Sequence, residues 1–110
     1  MRTLGINEKY ITGDSSDEEK FNHWAKTLPF TLRNPLHHWS QLELANYFNE
    51  FELLTPDNAQ RIYQDTKAQI QTANFSARNL LTQMNVKVLC TTEDPIDTLE
   101  HHQQLIKSNF

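Results

Sequence analysis

The sequence predicts a mainly α-helical chain of about five helices with one short strand near its C-terminal end. Three observations lead there. Helix start signals recur along the chain, most followed by apolar residues at three- and four-residue spacing. Only two glycines occur in 110 residues, which leaves little room for hairpin turns. A single run, Val86 to Thr92, has the composition of a strand.

The first helix is announced by Ser16 and Glu19, a capping box, with Asp17 and Glu18 suited to the positive end of a helix dipole. Phe21, Trp24, Ala25 and Leu28 then fall on one face, and Pro29 should stop the run. Asn34-Pro35 opens the second helix as a cap followed by proline. Its apolar residues, Leu36, Trp39, Leu42, Leu44, Tyr47 and Phe48, spread too widely for one stripe, so cover is expected on more than one side. Thr55-Pro56-Asp57 repeats the start signal for a third helix, with Ala59, Ile62, Tyr63, Thr66 and Ile70 on one face. Ser76 caps a shorter fourth helix carrying Ala77, Leu80, Leu81 and Met84. After the strand, Asp94-Pro95 is expected to start the last helix, with Ile96, Leu99 and Ile106 inward.

Composition bounds the function. Apolar residues make up 37% by a count without glycine, below the ~45–50% of ordinary globular domains. The core is expected to be modest, or part of the apolar surface serves something outside this sequence. A net charge of −4 with intermixed acids and bases argues against a nucleic-acid surface, which needs a basic stripe. The lone Cys90 cannot form an internal disulfide and points to a reducing compartment. No run approaches the ~20 apolar residues of a membrane span, and no signal peptide is visible. A cytoplasmic protein is expected, with neither membrane nor nucleic acid among its partners.

Few residues invite chemistry. His37-His38 and His101-His102 are adjacent pairs whose rings diverge by about 100° on a helix, unlike chelating pairs at i,i+4. They read as helix-surface histidines, and His23 as a helix flank beside Trp24. The acids at Asp17 to Glu19 are explained by capping alone. Capping can also explain Glu93 and Asp94, but there a second reading competes and takes in Thr91, Thr92 and Asp94, because hydroxyls and a carboxylate just past a strand are where β/α proteins place ligand groups. Arg33, in a charge-poor stretch before the Asn34 cap, reads either as a surface ion pair or as a clamp for a carboxylate or phosphate. No phosphate-binding glycine loop, nucleophile elbow or Cys-His arrangement is present.

Three stretches together resemble the uronate isomerase (glucuronate isomerase) family. They are Met1-Arg2-Thr3 through Ile11-Thr12-Gly13, Thr31-Leu32-Arg33-Asn34-Pro35-Leu36 with His38-Trp39, and Cys90-Thr91-Thr92-Glu93-Asp94-Pro95-Ile96-Asp97. The resemblance runs from about Met1 to Leu105. It implies a (β/α)8 barrel of the amidohydrolase superfamily that interconverts an aldose acid such as glucuronate or galacturonate with its ketose acid by proton transfer between C1 and C2. A divalent metal, commonly zinc, would serve the parent enzyme, with no metal ligand or catalytic residue in this segment. The family's His-x-His pair falls before Met1 and its metal-binding Asp beyond the end, so the chain resembles an excised internal piece. Residues 1–85 would be the helical insertion between the first two barrel strands, and residues 86–110 the second strand and its helix. Hexuronate and the rest of the barrel would be the partners. Arg33, Thr91, Thr92 and Asp94 would then bind substrate, and the piece alone is expected to be inactive. The competing class is a stand-alone helical interaction module; a small histidine-based metal-binding protein is a third.

Overall fold

The structure, a computed structural model, describes residues 1–108; Asn109 and Phe110, the end of the expected β/α unit, lie outside them. Five α-helices are present among the described residues: α1 (Asp17–Thr27), α2 (Pro35–Phe48), α3 (Ala59–Ile70), α4 (Ala77–Gln83) and α5 (Glu100–Lys107). The chain forms two compact units, Met1–Gln71 and Thr72–Phe110.

The first unit holds α1 to α3. Both halves of the capping box form, with the Ser16 hydroxyl accepting from the Glu19 amide at 3.3 Å and the Glu19 carboxylate accepting from the Ser16 amide at 3.0 Å. Pro29 does not end helical structure outright. It diverts α1 into a 3-10 turn, Leu28–Thr31. Asn34 caps α2 by accepting from the Leu36 amide at 3.0 Å, and α2 ends at Asn49 in the left-handed conformation. The third helix begins later than Thr55-Pro56 suggested. Asn58 accepts from the Thr55 amide at 2.8 Å and donates to the Leu53 carbonyl at 2.9 Å, which ties residues 55–58 into a turn.

The core of this unit is small. Ala25, Leu28, Leu44, Leu54, Ala59 and Ile62 are buried, and Phe21, Trp24 and Phe48 pack against them. Leu28 and Ile62 are the largest fully buried side chains, each stabilising the fold by roughly 1.5–3 kcal/mol. The helix α1 packs on α3. Only one flank of α2 joins in, through Leu44 and Phe48. Its other apolar residues, Leu36, Trp39, Leu42 and Tyr47, are exposed, so the expected cover on a second side is not supplied within this unit. Arg61 on α3 binds the carboxylates of Glu50 and Glu52 at 2.7 and 2.5 Å and so fastens the loop after α2.

The second unit corrects three expectations. The Val86–Thr92 strand does not form: no strand occurs among the described residues, and Val88 and Leu89 are 79% and 66% exposed. A strand satisfies its amides and carbonyls through a neighbour, and none is offered. The last helix does not start at Asp94-Pro95 either. Asp94 accepts from the Ile96 amide at 3.1 Å, and Asp97 accepts from the Asp94 amide at 3.0 Å, which closes a turn instead. Leu99, left-handed at φ 53, separates that turn from α5. Ile96, Leu99 and Ile106 are exposed rather than inward, and no described residue of this unit is buried. Where the expectation had an apolar anchor, the unit is held by polar contacts and by α4, capped by Ser76.

Candidate functional site

Arg33 occupies the junction between the 3-10 turn and α2. The Asn34 amide donates to the Thr31 carbonyl at 2.8 Å while the Asn34 side chain caps α2. The chain must reverse within one residue, and Arg33 does so at φ 70. This left-handed conformation costs an L-residue roughly 1–2 kcal/mol. Asn49, Asn85 and Leu99 share it; asparagine tolerates it well, whereas arginine and leucine do not. The ion pairs among the described residues involve Arg2, Arg61 and His102, and none involves Arg33. Its guanidinium is therefore not the partner of a described carboxylate. Around it in sequence, Phe30, Leu32, Leu36 and Trp39 are 73%, 70%, 47% and 57% exposed. Arg33 thus combines a left-handed backbone with the absence of a described ion-pair partner.

Thr91, Thr92 and Asp94 all lie in the second unit, on the exposed chain leading to α5. The Thr91 hydroxyl is 3.0 Å from Nε2 of His102. The Glu93 carboxylate is 3.7 Å from the same nitrogen. Asp94 spends its carboxylate on the backbone turn described above, which gives it a structural task whatever else it does. Thr92 is exposed. The three residues share one short segment, and His102 is the side chain that joins it to α5. Sequence reading missed His102, placing it with the helix-surface histidines. No local signal marks the Thr91–His102 pair, since the contact depends on the turn at 94–97 folding the chain back.

The geometry limits the chemistry. A nucleophile-activating triad places its acid and its nucleophile on opposite nitrogens of the imidazole. Here hydroxyl and acid share Nε2, so no relay exists. Among the described residues, no group of three or more His, Cys, Asp or Glu side chains could hold a metal ion, so the described part of this chain does not fit a zinc site. A hollow of about 300 Å³ lies beside His102, lined also by Glu93, Asp97, Glu100 and His101. In the first unit a cleft of about 500 Å³ is walled by Phe21, Trp24, Leu44, Phe48, Leu54 and Tyr63. No helix among the described residues is long and apolar enough to cross a membrane.

The whole chain, residues 1–110, matches the family model described as glucuronate isomerase. The chain belongs to the glucuronate isomerase family. A uronate isomerase of Flavobacterium johnsoniae is 50% identical over 109 residues, which is 99% of this chain and 23% of that relative. A uronate isomerase of Lachnospira eligens is 51% identical over 105 residues, covering 96% of the chain and 22% of the relative. The crystal structure of uronate isomerase from Thermotoga maritima matches with a TM-score of 0.87 at 36% identity, over 97% of this chain and 23% of that one. The chain therefore spans a little under a quarter of the curated family members it matches. The similarity of fold covers both compact units, so the helical architecture is a feature shared with this glucuronate isomerase family member.

Proposed function

We propose that the chain works as part of a uronate isomerase that interconverts D-glucuronate with D-fructuronate, and D-galacturonate with D-tagaturonate, in hexuronate breakdown. The family match along the complete chain carries this reading, supported by relatives that are themselves uronate isomerases. In that enzyme, residues 1–85 form a helical insertion and residues 86–110 supply the second β/α unit of a (β/α)8 barrel of the amidohydrolase type, in the cytoplasm. The segment at Val86 to Thr92 then becomes a strand because neighbouring barrel strands complete its hydrogen bonds. The open apolar flank of α2 gains cover from the same source.

The roles follow from that placement. Arg33 presents a planar fork that suits the substrate carboxylate. Thr91, Thr92 and Asp94 stand at the carboxyl end of a barrel strand, where such enzymes gather their ligand groups. Proton transfer between C1 and C2 needs a base, an electrophile for the carbonyl and a closed pocket. We assign the base, the electrophile and the ligands of any divalent metal to the parts of the enzyme outside this chain.

The test compares the 110-residue chain with a complete uronate isomerase carrying this sequence, both given glucuronate and galacturonate. The complete enzyme should form the ketose acids and the chain alone should not. Ketose formation by the chain alone, lost on adding a chelator, would contradict the reading. So would a complete enzyme inert toward both uronates.

A further inference from the structure

Helix α5 is amphipathic by pattern, yet its most protected described side chain is not Leu105 or Ile106. It is His102, half-buried while every other described residue of the helix is exposed. The contacts explain why. His102 Nε2 meets the Thr91 hydroxyl at 3.0 Å and faces the Glu93 carboxylate at 3.7 Å, so the ring bridges the helix to a segment eleven positions earlier. The turn at 94–97, closed by the Asp94 amide donating to Asp97 Oδ2 at 3.0 Å and the Asp97 amide donating to the Asp94 carbonyl at 2.9 Å, holds the two ends of that bridge at their spacing.

We infer that His102 is a positioning residue that fixes the side-chain rotamer of Thr91 and the direction of its hydroxyl. The inference rests on the reading above that Thr91 faces substrate. Thr91 is exposed, and a threonine side chain without packing neighbours samples more than one staggered χ1 well. The hydrogen bond to a helix-borne ring favours one of them. The ring also decides what the hydroxyl offers to a ligand. With hydrogen on Nε2, the imidazole donates to Thr91 and leaves the hydroxyl hydrogen free for a sugar oxygen. With hydrogen on Nδ1 only, Nε2 accepts the hydroxyl hydrogen, and Thr91 keeps lone pairs for a sugar hydroxyl. Glu93, 3.7 Å from the same nitrogen, favours the first arrangement, since a ring N–H turns its positive end toward the carboxylate. Thr91 thereby becomes a directed contact for one oxygen of a polyhydroxylated acid.

Two measurements test this separately from the enzymatic reading. In the 110-residue chain, the three-bond coupling between Hα and Hβ of Thr91 should report a single rotamer. His102→Leu should average it, while His102→Gln, which keeps a polar nitrogen near the Nε2 position, should restore it. Amide shifts of α5 check that the helix persists in both variants. A coupling already averaged in the parent chain, or unmoved by His102→Leu, overturns the inference. In the complete enzyme, His102→Leu should lower kcat/KM about five- to tenfold, the worth of one neutral hydrogen bond, with most of it recovered by His102→Gln. Loss of equal size in both variants would overturn a positioning role. Thr91→Val judges the other reading: unchanged kcat/KM there removes Thr91 from the substrate contacts, whatever the rotamer shows.

Discussion

The imidazole of His37, in the first turn of α2, donates from Nδ1 to the carbonyl oxygen of Leu28 at 3.0 Å. A carbonyl only accepts, so this contact places the hydrogen on Nδ1. Leu28 is fully buried, and its carbonyl also accepts from the Thr31 hydroxyl at 2.6 Å. Two side chains thus close the backbone where α1 gives way to α2, and they set the geometry in which Arg33 must turn.

His37→Leu should lower the stability of the first unit by about 1 kcal/mol, because Thr31 still serves the carbonyl. Combining it with Thr31→Val strips both side-chain donors from a buried carbonyl. The double variant should therefore lose more than the sum of the single losses. Urea midpoints at constant m-value measure all three.

Acid should weaken the first unit in a defined window. Hydrogen bonding from Arg2, with a further bond from Thr12, holds the Glu8 carboxyl down at about 2, against 4.5 ordinarily. Arg61, and then the Glu52 amide, hold Glu50 below the same ordinary value. The unfolded chain thus binds protons before the folded one as pH falls. The stabilisation is complete above about pH 4.5 and fades as pH drops through the folded values toward about 2. Thermal midpoints should be flat between about pH 6 and 5 with respect to these groups and then decline, less steeply in Glu50→Gln. A slope unaltered by that substitution would place the acid sensitivity elsewhere.

Arg33 should trade stability against activity. Arg33→Gly relieves the left-handed strain and should stabilise the chain by roughly 0.5–1 kcal/mol after glycine's entropy is counted. In the complete enzyme the same change should reduce kcat/KM. Arg33→Lys should also reduce kcat/KM with little change in thermal midpoint, since an ammonium cannot form the bidentate pair. Full activity in both variants would return Arg33 to a structural role.

Amide exchange should separate the two units. The amides of Val88, Leu89 and Cys90 lie on exposed chain, whereas the Ile62 amide donates to the Asn58 carbonyl at 3.0 Å inside a packed helix. In dilute chain the former should exchange near the rate of an unstructured peptide, and Ile62 only on global unfolding. Protection of Val88 to Cys90 equal to that of Ile62 would mean the segment has found a strand partner.

Legibility in the sequence followed the range of the forces. Ser16 with Glu19, Asn34 before Pro35, and Ser76 act within one turn of helix, and each capped the helix expected of it. The third and fifth helices started late because Asn58 and Asp97 used the same short polar chemistry to close turns. Residue type could not choose between cap and turn there. Val86 to Thr92 has strand composition, but a ladder is a property of two segments, and one sequence stretch cannot show whether its neighbour exists. Of the expected site residues, Asp94 was sensed as a polar group after an extended run, yet its bond to the Ile96 amide depends on the turn that formed. The Thr91–His102 contact was beyond reach for the same reason. Trp39 has core spacing and an exposed ring, because a flank's partner is not written in its own periodicity.

The differing settings of the two tryptophans give the protein two optical voices. Trp24 packs against the core, while Trp39 is 57% exposed on the open flank of α2. Indole emission moves to the red in water and is quenched on collision with acrylamide, so the chain's fluorescence divides into a shielded fraction and an accessible one. Unfolding of the first unit will register mainly through Trp24. Anything that comes to rest on the flank of α2 will shield Trp39 while leaving Trp24 unchanged, which turns a plain quenching titration into a detector for the missing cover.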